Sequence, residues 1–258
     1  MKKLSVVLAT FNEEENIERC LLAVKDFADE IVIVDGTSKD RTVQIAKSLG
    51  ARVIITTNKA NFHINKQMAI DAAKGEWILQ LDADEVVGVD LEKEIKEIIK
   101  KNPEENGFWM PRKNYFLGRF LMKGGQYPDY TIRLYRNGKG RLPQKDVHEQ
   151  AEIDGKVGYL KNALLHYPYK DFAFYVSKWK RYNLFFANQI REELEGKSIL
   201  YKFFAGFGYL VLRPAHWLLT TYIRHKGFYD SWQGFVFSLM SALRFPMAYF
   251  YYVTGKVK

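Results

Sequence analysis

Apolar and β-branched residues come in short runs along the first hundred positions, at Leu4 to Ala9, Ile31 to Val34, Arg52 to Thr56 and Trp77 to Leu81. Runs of that length, bounded by Gly, Asn and Asp, predict buried strands. Between them the apolar positions recur at helical spacing, over Asn16 to Phe27, Thr42 to Leu49 before Gly50, and Ile64 to Ala73 before Gly75. Strands alternating with helices of this size predict βαβ units and a mostly parallel, doubly wound α/β sheet. Ligands of such sheets bind at the carboxyl ends of the strands. An amphipathic helix over Asp90 to Lys101 closes this half.

From Gly107 to His166 the pattern turns β-rich, with Gly124-Gly125, Tyr127-Pro128 and Asn137-Gly138 marking turns. From Phe172 helical periodicity returns, with aromatic residues on repeated faces and Pro214 and Pro246 as expected interruptions. The pattern therefore predicts a domain over 1–171, divided into halves at 1–101 and 102–171, and a helical region over 172–258.

Charge sharpens this division. Residues 1–171 hold 27 Lys and Arg against 26 Asp and Glu, whereas 172–258 hold 12 against 4, so most of the net charge of +9 lies in the helical region. That region also carries 24 of the 39 aromatic residues. Basic and aromatic together suggest an anionic membrane surface, or a second copy of the chain covering the aromatic stripes; nucleic acid is the competing partner of a basic patch. The longest apolar run, Ser231 to Leu243, is too short to span a bilayer and meets Arg244. Met1-Lys2-Lys3 leads into the first strand and does not read as a signal peptide. A lone Cys20 excludes an internal disulfide and suits a reducing, cytoplasmic setting.

Three local signals fall at predicted strand ends. After the first strand stand Ala9-Thr10-Phe11-Asn12-Glu13-Glu14, where a small residue, a hydroxyl and a ring can hold a flat base and a carboxylate can accept from a ribose hydroxyl; helix capping by Asn12 is the plainer alternative. After the second comes Asp35-Gly36-Thr37-Ser38-Lys39-Asp40-Arg41-Thr42, in which Asp35 can meet a base or ribose edge and Asp40 can cap the helix that follows. After the fourth comes Asp82-Ala83-Asp84-Glu85. Alternate residues of an extended segment point the same way, so Asp82 and Asp84 can converge on a cation, and hard oxygen ligands with a diphosphate suit Mg²⁺ or Mn²⁺.

In this order the three signals resemble glycosyltransferase family 2, inverting enzymes with the GT-A fold. Ala9 to Glu13 match its opening pattern, Asp35, Ser38, Asp40 and Thr42 match Asp-x-x-Ser-x-Asp-x-Thr, and Asp82-Ala83-Asp84 matches its metal motif, with Gly75 and Trp77 as the lead-in. The likeness covers roughly 1–170 and makes 1–101 the nucleotide-binding half and 102–171 the acceptor half of a catalytic domain, leaving 172–258, by its charge and aromatic residues, as a helical membrane-surface or oligomerisation region. Asn114 to Arg119, Gly125 to Tyr130, Arg133 to Arg136 and Val147-His148-Glu149 further resemble the branch that includes lipopolysaccharide inner-core β-1,4-glucosyltransferases.

The resemblance implies a UDP-sugar donor, UDP-glucose in particular, and a lipid-linked glycan acceptor at the inner face of the cytoplasmic membrane, with no nucleic acid. It implies donor contacts from Ala9, Thr10, Phe11, Glu13, Asp35, Lys66, Asp82, Ala83, Arg133 and Arg136, and a metal on Asp84, Asp82 and His148. It makes Glu149 the general base, with Asp146 and Glu85 as alternatives. Left to the residues alone, His148 is equally a satisfied hydrogen-bonder, and at least one of Arg133 and Arg136 is a surface ion-pair partner. A polyprenyl-phosphate glycosyltransferase, which needs no general base, and a non-catalytic basic membrane- or nucleic-acid-binding protein are the alternative functions.

Overall fold

A computed structural model describes residues 3–144 and 150–256 of the chain. It separates into two compact units, Met1–Lys113 with Asp129–His166, and Asn114–Pro128 with Tyr167–Lys258. The sequence places 114–128 in an acceptor half, whereas these residues group with the helices. The reason lies in their anchors: Asp230 accepts from the backbone N–H groups of Met122 and Lys123, and Phe116 and Leu121 pack with Tyr175.

In the first unit, β1 (Leu4–Thr10), α1 (Ile17–Leu22), β2 (Glu30–Asp35), α2 (Thr42–Ser48), β3 (Arg52–Ile55), α3 (Phe62–Asp71) and β4 (Trp77–Leu81) alternate as expected. They are followed by β5 (Glu85–Val86), α4 (Val89–Lys101), β6 (Gly107–Phe116), β7 (Arg119–Leu121), β8 (Asp129–Arg136), β9 (Gly140–Arg141), β10 (Glu152–Ile153), β11 (Val157–Tyr159) and β12 (Leu164–His166). The strand order is β3-β2-β1-β4-β8-β6-β12-β5, with β11 also on β6. It is parallel from β3 to β4 and antiparallel where β8 meets β4, and β11 adds a parallel pairing on β6, so the sheet is mixed.

Period-two alternation decides the two faces. Val6, Leu8, Ile33, Leu79 and Leu81 face a core closed by Ile17, Cys20 and Leu21 of α1, Ala46 of α2 and Leu91 and Ile95 of α4. Val7, Val32, Val34 and Ile78 face the other core, closed by Ala69 and Ile70 of α3. Helices thus cover both faces of the parallel half, as a doubly wound sheet requires. Gly75 is fixed by a close approach: a Cβ there would lie 2.6 Å from Ser5 Oγ, which accepts from the Gly75 N–H.

The last three residues of β6 pair with β7 in the second unit. That unit also holds α5 (Phe172–Leu194), α6 (Ile199–Phe207), α7 (Arg213–Leu218) and α8 (Ser231–Val253). Pro214 stands at the start of α7, directly after a π-helical turn over Gly208–Leu212. Pro246, expected to interrupt, does not: α8 runs through it, because Ala242 and Phe245 before it and Ala248 after it are all buried. Among the described residues no helix is long and apolar enough to cross a membrane.

Candidate active site

Parallel pairing sets the carboxyl ends of three strands side by side. Thr10 is in register with Asp35, and Leu8 with Leu81, so the turns after β1, β2 and β4 leave the same edge of the sheet. At strand spacing, the two outer turns are about 10 Å apart, with the Thr10 turn between them.

The first two turns are stitched together by side chains. Asp35, fully buried, accepts from Thr10 Oγ1 at 2.9 Å, from the Ser38 N–H at 2.8 Å and from Ser38 Oγ at 2.6 Å. Ser38 Oγ in turn accepts from the Asn12 N–H, and Thr42 Oγ1 from the Glu13 N–H. Asp40 accepts from the Thr42 N–H at 3.0 Å and from the Glu14 N–H at 3.1 Å. Partial burial pushes the Asp40 carboxyl up, but these hydrogen bonds from Thr42 and Glu14 hold it below the usual carboxylate range. Asn12 is not the cap of α1; it accepts from the Lys39 N–H with its own φ at 56°. The Asp-x-x-Ser-x-Asp-x-Thr spacing is therefore a scaffold for the strand-end turns. Three of Asp35's roughly four acceptor positions are used within the protein, so it supports the edge from beneath. Phe11, 40% exposed, is the ring that this scaffold presents.

The third turn is a charge network. Asp82 Oδ1 lies 2.5 Å from Lys66 Nζ on α3, and Oδ2 lies 2.6 Å from Arg133 Nη2 on β8. Arg133 also reaches Glu85 at 2.8 Å, and Arg112 pairs with Glu85 at 3.2 Å and with Asp129 at 2.8 Å. Glu85 is fully buried and accepts from the Asp82 N–H at 2.9 Å. Burial alone would push the Asp82 carboxyl up; the charges of Arg133 and Lys66 outweigh it and hold it well below the usual range. Burial would likewise lower the Arg133 pKa, and Asp82 and Glu85 reverse that and raise it.

Clustered acids after an apolar strand, expected to need a bound cation, are balanced here by the protein's own cations, with both Asp82 oxygens in ion pairs. Glu85, one of the alternative bases, is a buried anchor for two arginines. Ala83 is buried in the core beneath α1. Arg136 stands apart: it pairs with Glu76 at 3.1 Å, donates to Asn102 and Pro103, and stacks 4.5 Å from the Trp77 ring, at the start of β4. Arg133 and Arg136 are three apart on a strand, so they face opposite ways, and Arg136 is removed from the donor set.

Asp84 is the acid these cations leave aside, and its partner is one that sequence reasoning missed. His166, at the end of β12, is paired with Glu85 in the strand register and places Nε2 3.3 Å from Asp84 Oδ2. Its signal was present in Leu164-Leu165-His166, an apolar run ending in a polar residue as at Leu81-Asp82. Among the described residues no group of three or more His, Cys, Asp or Glu is placed to hold a metal. An imidazole and a carboxylate fit a divalent ion whose other positions are filled by phosphate oxygens and water. Asp146, His148 and Glu149 lie outside the described residues.

This α/β sheet with its strand-end acids and helical carboxyl-terminal region is the GT-A arrangement. The model of Glycosyl transferase family 2 matches residues 5–167, and the chain belongs to that family. An uncharacterized glycosyltransferase of Rickettsia typhi is 28% identical over 94% of this chain and 84% of its own length. The lipopolysaccharide core biosynthesis glycosyltransferase LpsC of Rhizobium meliloti is 27% identical over 93% of this chain and 91% of its own. Among solved structures, TarS 1–349 of S. aureus in complex with UDP-GlcNAc shares the fold at a TM-score of 0.52 and 17% identity, covering 94% of this chain and 81% of that one.

Proposed function

We propose that the chain moves a hexose, glucose in the first instance, from a UDP-sugar to a hydroxyl of a lipid-linked glycan of the lipopolysaccharide-core kind, with inversion at the anomeric carbon. The observation that carries this is the meeting of the Thr10–Phe11 turn, Lys66, Arg133 and Asp84 along one sheet edge. LpsC, similar over nearly the whole chain, supports the acceptor class.

In this reading Thr10 and Phe11 receive the uracil, held in place by Asp35, Ser38 and Thr42 behind them. Ala83 offers only its backbone, and Glu13 faces the ribose. Lys66 and Arg133, fixed by Asp82, set positive charge where the diphosphate lies. A divalent cation, Mg²⁺ or Mn²⁺, would be held by Asp84 and His166 and would neutralise charge on the departing UDP. A carboxylate near the acceptor hydroxyl, Glu149 or else Asp146, takes its proton, a contribution of about 10²–10⁴ in rate. His148 remains a further proposed ligand of the cation.

The second unit supplies a membrane surface in this reading. Ile199, Leu200, Phe203 and Phe204 on α6 are each more than 60% exposed, and Lys197 and Lys202 lie beside them. An in-plane helix of this composition buries its apolar face in the boundary of an anionic bilayer, which suits a peripheral enzyme on its cytoplasmic side. A second copy of the chain covering the same face is the other use of such a surface.

A donor-hydrolysis screen over nucleotide sugars, each with Mg²⁺ and with Mn²⁺, tests the reading. Release of UDP from UDP-glucose above that from other donors is expected. No release from any nucleotide sugar would overturn it.

A further inference from the structure

The second unit contains a cavity of about 340 Å³. Its walls come from the Gly124–Gln126 loop, from Trp217, Thr220, Thr221 and His225, and from Phe237, Ser241 and Arg244 of α8. The volume sits at the lower end of the range for ligand pockets, roughly 300–1,000 Å³. Among the described residues no Asp or Glu lines it.

Arg244 gives the cavity its chemistry. Its guanidinium carbon lies 4.8 Å from the ring centroids of both Trp217 and Phe245, and 5.7 Å from that of Phe186. Its Nε is buried and makes no hydrogen bond, and among the described residues no carboxylate pairs with it. A half-buried charge without a counter-charge is costly, and Arg does not escape the cost by losing its proton. The aromatic rings do not consume its donors. Attraction to a ring uses the charge of the guanidinium and not its N–H groups, so these contacts leave its donors available.

Polar and apolar residues share the remaining wall. The hydroxyls of Thr220 and Ser241 carry no hydrogen bond among the described residues, and Gln126 and His225 line the same space beside Trp217 and Phe237. A carboxylate has two oxygens to offer such a set. A phosphoryl group has three or more, and Arg grips it in a bidentate way.

We infer that this cavity is a binding site for a phosphate group. On the reading of the chain as a transferase to lipid-linked glycans, that phosphate belongs to the acceptor: Leu219 and Ile223, on the helical stretch that supplies Thr220, and Leu243, next to Arg244, are exposed apolar residues where its lipid would lie. The site itself stands without that reading.

The test is a fluorescence and calorimetric titration of the full chain with inorganic phosphate, with a hexose phosphate, and with phosphatidylcholine vesicles carrying or lacking phosphatidic acid. Saturable binding is expected. Arg244→Gln should weaken it about tenfold or more, and Ser241→Ala and Thr220→Val several-fold with the melting temperature unchanged. Stronger binding to phosphatidic acid vesicles than to soluble phosphates, lost in the same variants, assigns the phosphate to a lipid; the reverse order assigns it to a soluble compound. No saturable binding to any probe, or binding unchanged in Arg244→Gln and Ser241→Ala alike, would overturn the inference. These titrations need no donor and no turnover. A chain that hydrolyses UDP-sugars yet binds no phosphate loses this inference alone, and one that binds phosphate but hydrolyses nothing loses only the transfer reading.

Discussion

His166 Nε2 stands 3.3 Å from Asp84 Oδ2, although 82 positions separate the two residues in the chain. Antiparallel pairing of β12 with β5 fixes the distance, since His166 lies opposite Glu85, the neighbour of Asp84. Asp82, two positions earlier, is held by Lys66 and Arg133, so the two acids of the motif have different work. Replacing His166 by Ala should therefore raise the metal concentration needed for half-maximal donor hydrolysis by about tenfold or more, with part of the activity recovered at high metal. An unchanged metal dependence would remove His166 from the site.

Arg133 carries the structural share of the network. It is 8% exposed and contacts two acids, one of them fully buried. Arg133→Met removes one cation from Glu85 and Asp82, which keep Arg112 and Lys66, and should cost about 1–3 kcal/mol in unfolding free energy. The double variant Arg133→Met with Glu85→Gln should recover part of that loss. Thermal and urea denaturation of the single and double variants would show both effects.

Ser38 touches no ligand in this account, yet it joins Asp35 to the turn that presents Phe11. Ser38→Ala should raise the KM for the donor several-fold with kcat less affected, because the change loosens base binding and leaves the reacting groups alone. Phe11→Ala should act in the same direction. Steady-state kinetics over donor concentration separates the two constants.

Asp40 makes the same scaffold sensitive to acid. Its folded pKa lies below the unfolded value of about 3.9, so its stabilising share is complete above that pH and is lost as the pH falls through the folded value. The stability gap between the native chain and Asp40→Asn should stay level from about pH 8 to about pH 5 and narrow below about pH 4. Urea titrations at each pH measure the gap; one that does not change with pH would contradict the assignment.

The short apolar runs at Leu4 to Ala9, Ile31 to Val34 and Trp77 to Leu81 already place β1, β2 and β4, whereas runs apolar on both sides do not say which residue faces which core. The acids after those strands then fall on one edge because parallel strands end together. Partners brought in from distant strands are a different matter. Lys66, Arg112 and Arg133 neutralise Asp82 and Glu85 across separations of 16 to 51 residues, and nothing local in Asp82-Ala83-Asp84-Glu85 reports which cations arrive. Arg136 was legible in principle: on a strand, an odd spacing from Arg133 sends it to the other face. Asp35 reads as a ligand contact from its position at a strand end, and its three hydrogen bonds, unreadable from the sequence, add a supporting role. Pro246 reads as a break, and burial on both sides of it keeps α8 whole.

The most direct test of the strand-end edge as a nucleotide-sugar site is calorimetric titration of the chain with UDP, with and without Mn²⁺, alongside Asp84→Asn. The account predicts saturable binding that weakens by about tenfold or more when the metal is withheld or Asp84 is replaced. Absence of binding with metal present, or binding indifferent to both metal and Asp84, would contradict it.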